Sequence, residues 1–151
     1  MSLEKDINQT KFSSEYQKVI INIIYTANWI AEKTKSFFAS ENITQQQFNI
    51  LRILRGAGKP ISTLQIRERM LDKMSDTSRI VDRLVAKELV KKNTCPADKR
   101  LVDVFITAKG SKLLGRLDIQ EEALNSICAN LSSAEAKELN ILLDTIRSSK
   151  S

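Results

Sequence analysis

Apolar residues recur along most of this chain at three- and four-residue spacing, the period of a helix with one buried face. From about residue 13 to residue 39 the pattern predicts a long first helix with Ile20, Ile23, Ile24, Ala27, Ile30 and Ala31 turned inward. Ile21, Tyr25 and Trp29 fall off that stripe, so the helix is apolar on more than one face. Three later helices begin with a hydroxyl residue followed three positions on by Gln or Glu, the reciprocal capping pair. Thr44 with Gln47 opens a helix carrying Phe48, Leu51 and Leu54, which stops at Gly56-Ala57-Gly58 ahead of Pro60. Ser62 with Gln65 opens a short helix with Ile66 and Met70 inward. Ser132 with Glu135 opens the last, aligning Leu139, Leu142, Leu143 and Ile146.

The middle of the chain changes period. After a turn at Leu71-Asp72-Lys73-Met74, the residues Thr77, Ile80, Val81, Leu84 and Val85 recur at helical spacing and should face a core. Ser75, Asp76, Ser78, Arg79, Asp82 and Arg83 occupy the remaining surface. Two strand-like runs follow, 89–94 and 101–106, around the basic turn Cys95-Pro96-Ala97-Asp98-Lys99-Arg100. In the second run Val102, Val104 and Ile106 alternate with Leu101, Asp103 and Phe105. A fifth helix is expected from Thr107 or Ala108 to about Asn130, with Leu113, Leu114, Leu117, Leu124, Ile127 and Leu131 apolar.

These elements predict a mostly α fold with a small β-wing. The architecture is a winged helix-turn-helix domain plus terminal dimerisation helices, about six helices and a two- to three-stranded sheet. Residues 1–40 form the N-terminal dimerisation helix, 41–110 the winged helix-turn-helix region, and 111–151 the C-terminal dimerisation helices, all in one compact chain. A terminal helix apolar on two faces can pack on its own domain and on a second subunit. One larger monomeric core is the other reading of that pattern.

Charge sharpens the picture. Of 24 Lys and Arg against 18 Asp and Glu, residues 1–40 hold 5 against 4 and residues 111–151 hold 5 against 6. The middle, 41–110, holds 14 against 8 and so carries an excess equal to the net charge of +6. A positive centre between nearly neutral ends suits an anionic partner met by the middle segment, and equally a soluble basic surface. The chain has no His, which removes the commonest general base and metal ligand. It shows no Gly-rich phosphate loop and no nucleophile–base pair, so an enzyme is not expected. Cys95 and Cys128 lie far apart with no CxxC spacing, and neither a structural zinc nor any cofactor is expected. The most apolar run, Val19 to Ala31, is interrupted by Asn22, Thr26 and Asn28 and is too short to cross a bilayer. A cytoplasmic location with reduced thiols is expected.

Small hydroxyls and a guanidinium at a helix N-terminus suit the major groove, where they approach base edges while the terminal amides favour phosphate oxygens. Arg79 can make two hydrogen bonds to a guanine edge, and Ser75 and Ser78 can contact phosphate or base. Asp76 either caps the helix or accepts from a cytosine amine. A solvated helix face is the bland alternative for each, and the basic hairpin that follows weighs against it. Such a hairpin reaches the adjacent minor groove, whose narrow negative channel attracts Arg. Asp98 stands two residues from Arg100, close enough to hold its guanidinium extended.

The sequence here resembles the MarR family of bacterial transcriptional regulators. The resemblance rests on Ser78-Arg79-Ile80-Val81-Asp82-Arg83-Leu84, Leu89-Val90, Asp98-Lys99-Arg100 and Ile106-Thr107-Ala108-Lys109-Gly110, and on the order of helices around them. It implies a homodimer on double-stranded DNA, with the first, fifth and sixth predicted helices at the dimer interface. On the apolar faces read above, that interface takes Ile20, Ile24, Leu124, Ile127, Leu139, Leu142 and Ile146. It also implies a pseudo-palindromic operator, most often repression, and release by a small phenolic or otherwise lipophilic effector. Arg100, oriented by Asp98 and beside Lys99, should enter the minor groove; Ser75, Asp76, Ser78, Arg79 and Arg83 belong to the DNA-binding surface.

Two positions depart from the family pattern. Glu88 stands where a glycine usually ends the recognition helix, so that turn must take another geometry or hold a non-glycine left-handed. Arg67 replaces a small packing residue and is expected to turn outward toward phosphate. Cys95, near Lys91, Lys92 and Lys99, offers a thiol-based redox alternative for regulation. A winged-helix protein-interaction module that does not read DNA is the other alternative. Trp29, Ile30, Phe37, Phe48 and Leu51 are where a lipophilic effector would be sought, and each is also an ordinary core residue.

Overall fold

The computed structural model describes residues 1–94, 96–98 and 102–148. The elements in chain order are α1 (Leu3–Asp6), α2 (Glu15–Ala39), α3 (Gln45–Ala57), β1 (Ile61–Ser62), α4 (Thr63–Arg69), α5 (Thr77–Ala86), β2 (Val90–Thr94), β3 (Val102–Ile106), α6 (Ala108–Asp118), α7 (Glu121–Asn125), a 3₁₀ turn (Ser126–Cys128) and α8 (Ser133–Arg147). The fold is thus mostly helical with one small antiparallel sheet, as the periodicity predicts. Among the described residues there are eight helices rather than about six, because α1 was not anticipated and the fifth predicted helix is broken.

The chain divides into two compact units, Met1–Leu114 and Gly115–Ser151. In the first, the three-stranded sheet has the order β1-β3-β2. Its register sets Ile61 opposite Val104 on one side of β3 and Lys92 opposite Val104 on the other. Ile50, Leu51, Ile66, Leu84, Leu114, Val81, Val90 and Val104 are fully buried and form the heart of the core. They come from α3, α4, α5, α6 and both long strands, so the reading of core residues from helical and strand period holds through the middle of the chain.

All three expected capping boxes are present. Thr44 accepts from the Gln47 amide at 3.1 Å while Gln47 accepts from the Thr44 amide, and Ser62–Gln65 and Ser132–Glu135 repeat the arrangement. Each satisfies two amides that a helix start would leave unpaired. α3 ends at Gly58, whose φ of 67° is left-handed, and whose amide reaches the Leu54 carbonyl.

α2 corrects the expected inward stripe. Ile20, Ile23, Ile24, Ala27 and Ala31 are exposed, whereas Ile21, Tyr25 and Trp29, expected off the stripe, are half-buried with Ile30. The helix is apolar on more than one face, and periodicity cannot choose between them; the buried residues of α2 are Thr34 and Phe38, toward its C-terminal end. Leu3 of α1 is also buried.

The fifth predicted helix is not continuous to Asn130. After α6 the Gln120 amide bonds back only three residues, to Leu117, and Gln120 itself has φ −98° and ψ 12°. Glu121 and Glu122 then begin α7, where acidic side chains favour a fresh helix N-terminus. Within the second unit Leu117 alone of the described residues is buried. Leu139, Ile141, Leu142 and Ile146 of α8 are all exposed.

Candidate nucleic-acid interface

The Asp72 turn presents α5. Its carboxylate accepts from the Met74 amide at 2.9 Å, and its carbonyl accepts from the Ser75 hydroxyl at 2.7 Å. Asp76 then caps the helix, its Oδ1 accepting from the Arg79 amide at 3.2 Å. Of the two roles open to Asp76, the cap is the one the structure records. Loss of such a cap costs about 1 kcal/mol.

Along α5 one side is core and the other is solvent. Thr77, Ile80, Val81 and Leu84 are buried; Asp76, Ser78, Arg79, Asp82 and Arg83 are exposed, and Ser75 is half-buried. The expected surface residues therefore stand together on one face. Asp82 does not weaken that face's positive charge on its own, because Lys92 of β2 pairs with it at 2.5 Å. Both groups are well exposed, so the pair orients side chains more than it stabilises the fold. Thr63, Leu64 and Arg67 of α4 face Ser75, Asp76, Thr77 and Ser78 across an open cleft of about 450 Å³. Arg67, expected to turn outward, does so and borders the N-terminal end of α5.

The far end of α5 answers the question posed by Glu88. Its φ is 61°, a left-handed non-glycine residue. The Leu89 amide bonds to the Leu84 carbonyl at 3.0 Å and the Glu88 amide to the Val85 carbonyl at 2.9 Å. That pair of bonds is the Schellman ending, with Leu84 and Leu89 both buried as its apolar contact. The left-handed backbone costs a residue with a Cβ roughly 1 kcal/mol.

The Thr107-x-x-Gly110 motif secures the same corner. The Thr107 hydroxyl donates to the Glu88 carbonyl at 2.8 Å and accepts from the Gly110 amide at 3.1 Å, so it caps α6 while holding the end of α5. The Thr107 amide also reaches the Leu89 carbonyl at 3.1 Å. Gly110 is needed for close approach: a Cβ there would lie 2.4 Å from the Leu89 carbonyl oxygen.

The wing strands pair from Val90 with Ile106 to Thr94 with Val102. At its tip Pro96 and Ala97 are exposed and Asp98 is half-buried. Cys95, Lys99 and Arg100 lie outside the described residues. Cys128 is exposed in the 3₁₀ turn.

The residues sought for an effector divide. Leu51 is fully buried, and Phe38 makes ring contacts with Phe37 at 5.1 Å and Phe48 at 4.8 Å, which is core packing at the α2–α3 corner. Trp29 instead borders a cleft of about 280 Å³ with Leu3, Asn22 and Tyr25.

The segment built by α3, α4, α5 and the wing is also the segment that comparison with known proteins picks out. The MarR family model matches residues 43–102. That segment is similar to the MarR family. Solved MarR-family regulators share the fold over nearly the whole chain. A mutant of MarR from E. coli complexed with operator DNA is 23% identical, with a TM-score of 0.79, over 91% of this chain and 99% of that one. A MarR transcription factor from Planctomyces limnophilus is 28% identical, with a TM-score of 0.67, over 89% and 99%. BpsR from Bordetella bronchiseptica, whose DNA binding is regulated by 6-hydroxynicotinic acid, is 22% identical, with a TM-score of 0.79, over 87% and 99%. Sequence comparison with curated proteins finds no match. Among the described residues, no helix is long and apolar enough to cross a membrane.

The contacts that sequence reasoning missed are Lys92 with Asp82 and, on the buried side, Lys87 with Gln47 at 3.1 Å. Both join residues from separate elements, and neither spacing nor period signals such a pair.

Proposed function

We propose that this chain is a dimeric, sequence-specific DNA-binding transcriptional regulator, a repressor on a pseudo-palindromic operator. The observation that carries the reading is the division of α5. Its apolar side is buried, and Ser78, Arg79 and Arg83 project from the other side beyond a tight turn. α5 enters the major groove, and Asp98, Lys99 and Arg100 bring the wing to the adjacent minor groove. The operator-bound relative of the same fold supports this choice of partner.

Dimerisation is supported by the apolar residues left in solvent. Ile20 and Ile24 are 59% and 58% exposed, and Leu139, Leu142 and Ile146 are 44%, 54% and 58% exposed. Side chains of that size in two terminal regions call for a partner surface. Residues 1–40 and 111–151, including the half-buried Leu124 and Ile127, supply it. Two copies of α5 then meet successive major grooves on one face of the duplex.

Release by a small lipophilic or phenolic effector completes the reading, and BpsR, whose DNA binding is regulated by 6-hydroxynicotinic acid, supports control by a small molecule. The test is selection of bound sequences from random duplex DNA, followed by a screen of aromatic acids and phenols for release. Enrichment of an inverted repeat is expected. A pool that stays random after several rounds contradicts the reading and favours a winged helix that binds protein.

A further inference from the structure

The end of α5 opposite its reading residues is held by a side chain whose position has no counterpart in the DNA contacts. Lys87, half-buried, is the residue on which α5 ends. Its ammonium donates to the Asn42 carbonyl and, at 3.1 Å, to Gln47 Oε1. Its own carbonyl accepts from Lys109 Nζ at 3.0 Å.

Both acceptors belong to the corner between α2 and α3. Asn42 has a φ of 54° and ends α2 with the paired bonds of a Schellman motif, Ile43 amide to Phe38 carbonyl and Asn42 amide to Ala39 carbonyl. Gln47 is 4% exposed, and its oxygen already accepts from the Thr44 amide at 3.1 Å. One amide oxygen thus serves the cap of α3 and the ammonium of α5 together. Gln47 lies too deep to touch any duplex.

We propose that Lys87 is a positioning residue for DNA reading, setting the tilt of α5 against the α2–α3 corner through Gln47 and Asn42. The proposal rests on the DNA-reading function above. Apolar packing alone is non-directional and lets a short helix pivot on its buried face. Hydrogen bonds to a charged donor are directional, and here they act at one end of a helix roughly 15 Å long. Base-edge hydrogen bonds tolerate only a few tenths of an ångström, roughly the width of the allowed distance range. Non-specific binding is a matter of charge near phosphates and tolerates far more. Loss of the anchor therefore reads out as lost discrimination between sequences, rather than as lost affinity for DNA in general.

The experiment compares Kd for the selected duplex and for a scrambled duplex, at stepped salt, in the full-length protein. The variants are Lys87→Met, Gln47→Leu, the double variant, and Thr44→Ala. The last weakens the same cap without touching Lys87. Lys87→Met and Gln47→Leu are each expected to lower the selected-to-scrambled ratio about tenfold, the scale of a lost charge-assisted hydrogen bond. The double variant falls no further than either alone, and Thr44→Ala keeps the wild-type ratio. The salt slope on scrambled DNA stays unchanged.

If Lys87→Met instead weakens both duplexes alike and lowers the salt slope by about one, Lys87 is a phosphate contact and the proposal is overturned. Lower melting temperatures with an unchanged ratio overturn it equally, as a purely structural role. Lys87→Met keeps the aliphatic stem and decides the matter alone should Gln47→Leu fail to fold. A wild-type protein that selects no sequence removes the DNA-reading function itself, and this proposal with it.

Discussion

The Thr107 hydroxyl donates to the Glu88 carbonyl at 2.8 Å, joining the left-handed end of α5 to the first turn of α6. The bond spans 19 positions in sequence and closes the wing at its base. It fixes where β2 and β3 leave the helices, and so where the wing stands relative to the exposed face of α5.

Glu88→Gly should stabilise the fold by about 1 kcal/mol, because glycine takes φ near +60° without the steric cost of a Cβ. The Glu88–Lys109 pair it removes spans 3.9 Å between well-exposed groups and contributes little. Urea unfolding followed by circular dichroism checks this; a midpoint shifted to lower urea contradicts the strain at Glu88.

Gly110→Ala should destabilise by about 2 kcal/mol, within the range for forcing an extra carbon into a packed site. The new Cβ meets the Leu89 carbonyl oxygen at 2.4 Å and Ile106 Cγ1 at 2.8 Å, and backbone cannot give way as a side-chain tip can. A melting temperature equal to that of the wild type contradicts the close approach.

Asp76→Ala removes the α5 cap and should cost about 1 kcal/mol, while Asp76→Asn keeps an acceptor and costs less. Amide hydrogen exchange in residues 77–80 is the informative measurement. Faster exchange confined to that turn is expected in the alanine variant, and uniform protection contradicts the cap.

Glu135 provides a pH handle on α8. Its carboxyl is held below the usual carboxylate range by the Ser132 backbone amide and then by the Ser132 hydroxyl. A depressed folded-state value means that this stabilisation is present above the unfolded carboxyl's pKa, near 4.5, and is lost as pH falls through the folded value. Helicity of α8 should decline on acidification below that point, and Glu135→Gln should remove that part of the pH dependence. NMR chemical shifts of residues 133–136 across pH 2–6 decide it.

On the proposal that Arg100 enters the minor groove, Arg100→Ala should weaken operator binding while leaving the oligomeric state unchanged. Anisotropy titration paired with sedimentation checks both halves. Unchanged affinity removes the wing assignment.

Much of the fold is legible in the sequence where a local rule is strong. The three capping boxes, the Gly58 stop and the buried side of α5 follow from one residue's chemistry or from a short period. The period does not separate the faces of α2, because Ile20 and Ile24 on one and Ile21, Tyr25 and Trp29 on another are equally apolar, and which of them is covered depends on the packed tertiary structure. The break at Gln120 carries no Gly or Pro, so nothing in the pattern marks it. At the interface, Ser78, Arg79 and Arg83 were visible as the polar remainder of an amphipathic helix. Lys87 was not: its partners Asn42 and Gln47 lie 45 and 40 positions away, and a lysine at a helix end looks like any solvated charge.

The central claim is that α5 reads a DNA sequence, and its most direct test is an anisotropy titration of the protein on its selected duplex and on a scrambled one. Measured between 50 and 200 mM salt, affinity should fall steeply on both, with a log–log slope of about −0.9 per phosphate neutralised. The selected duplex should bind roughly 10³-fold or more tightly than the scrambled one, and Arg79→Ala should erase most of that difference. Equal affinity for the two duplexes, or affinity indifferent to salt, would contradict the account.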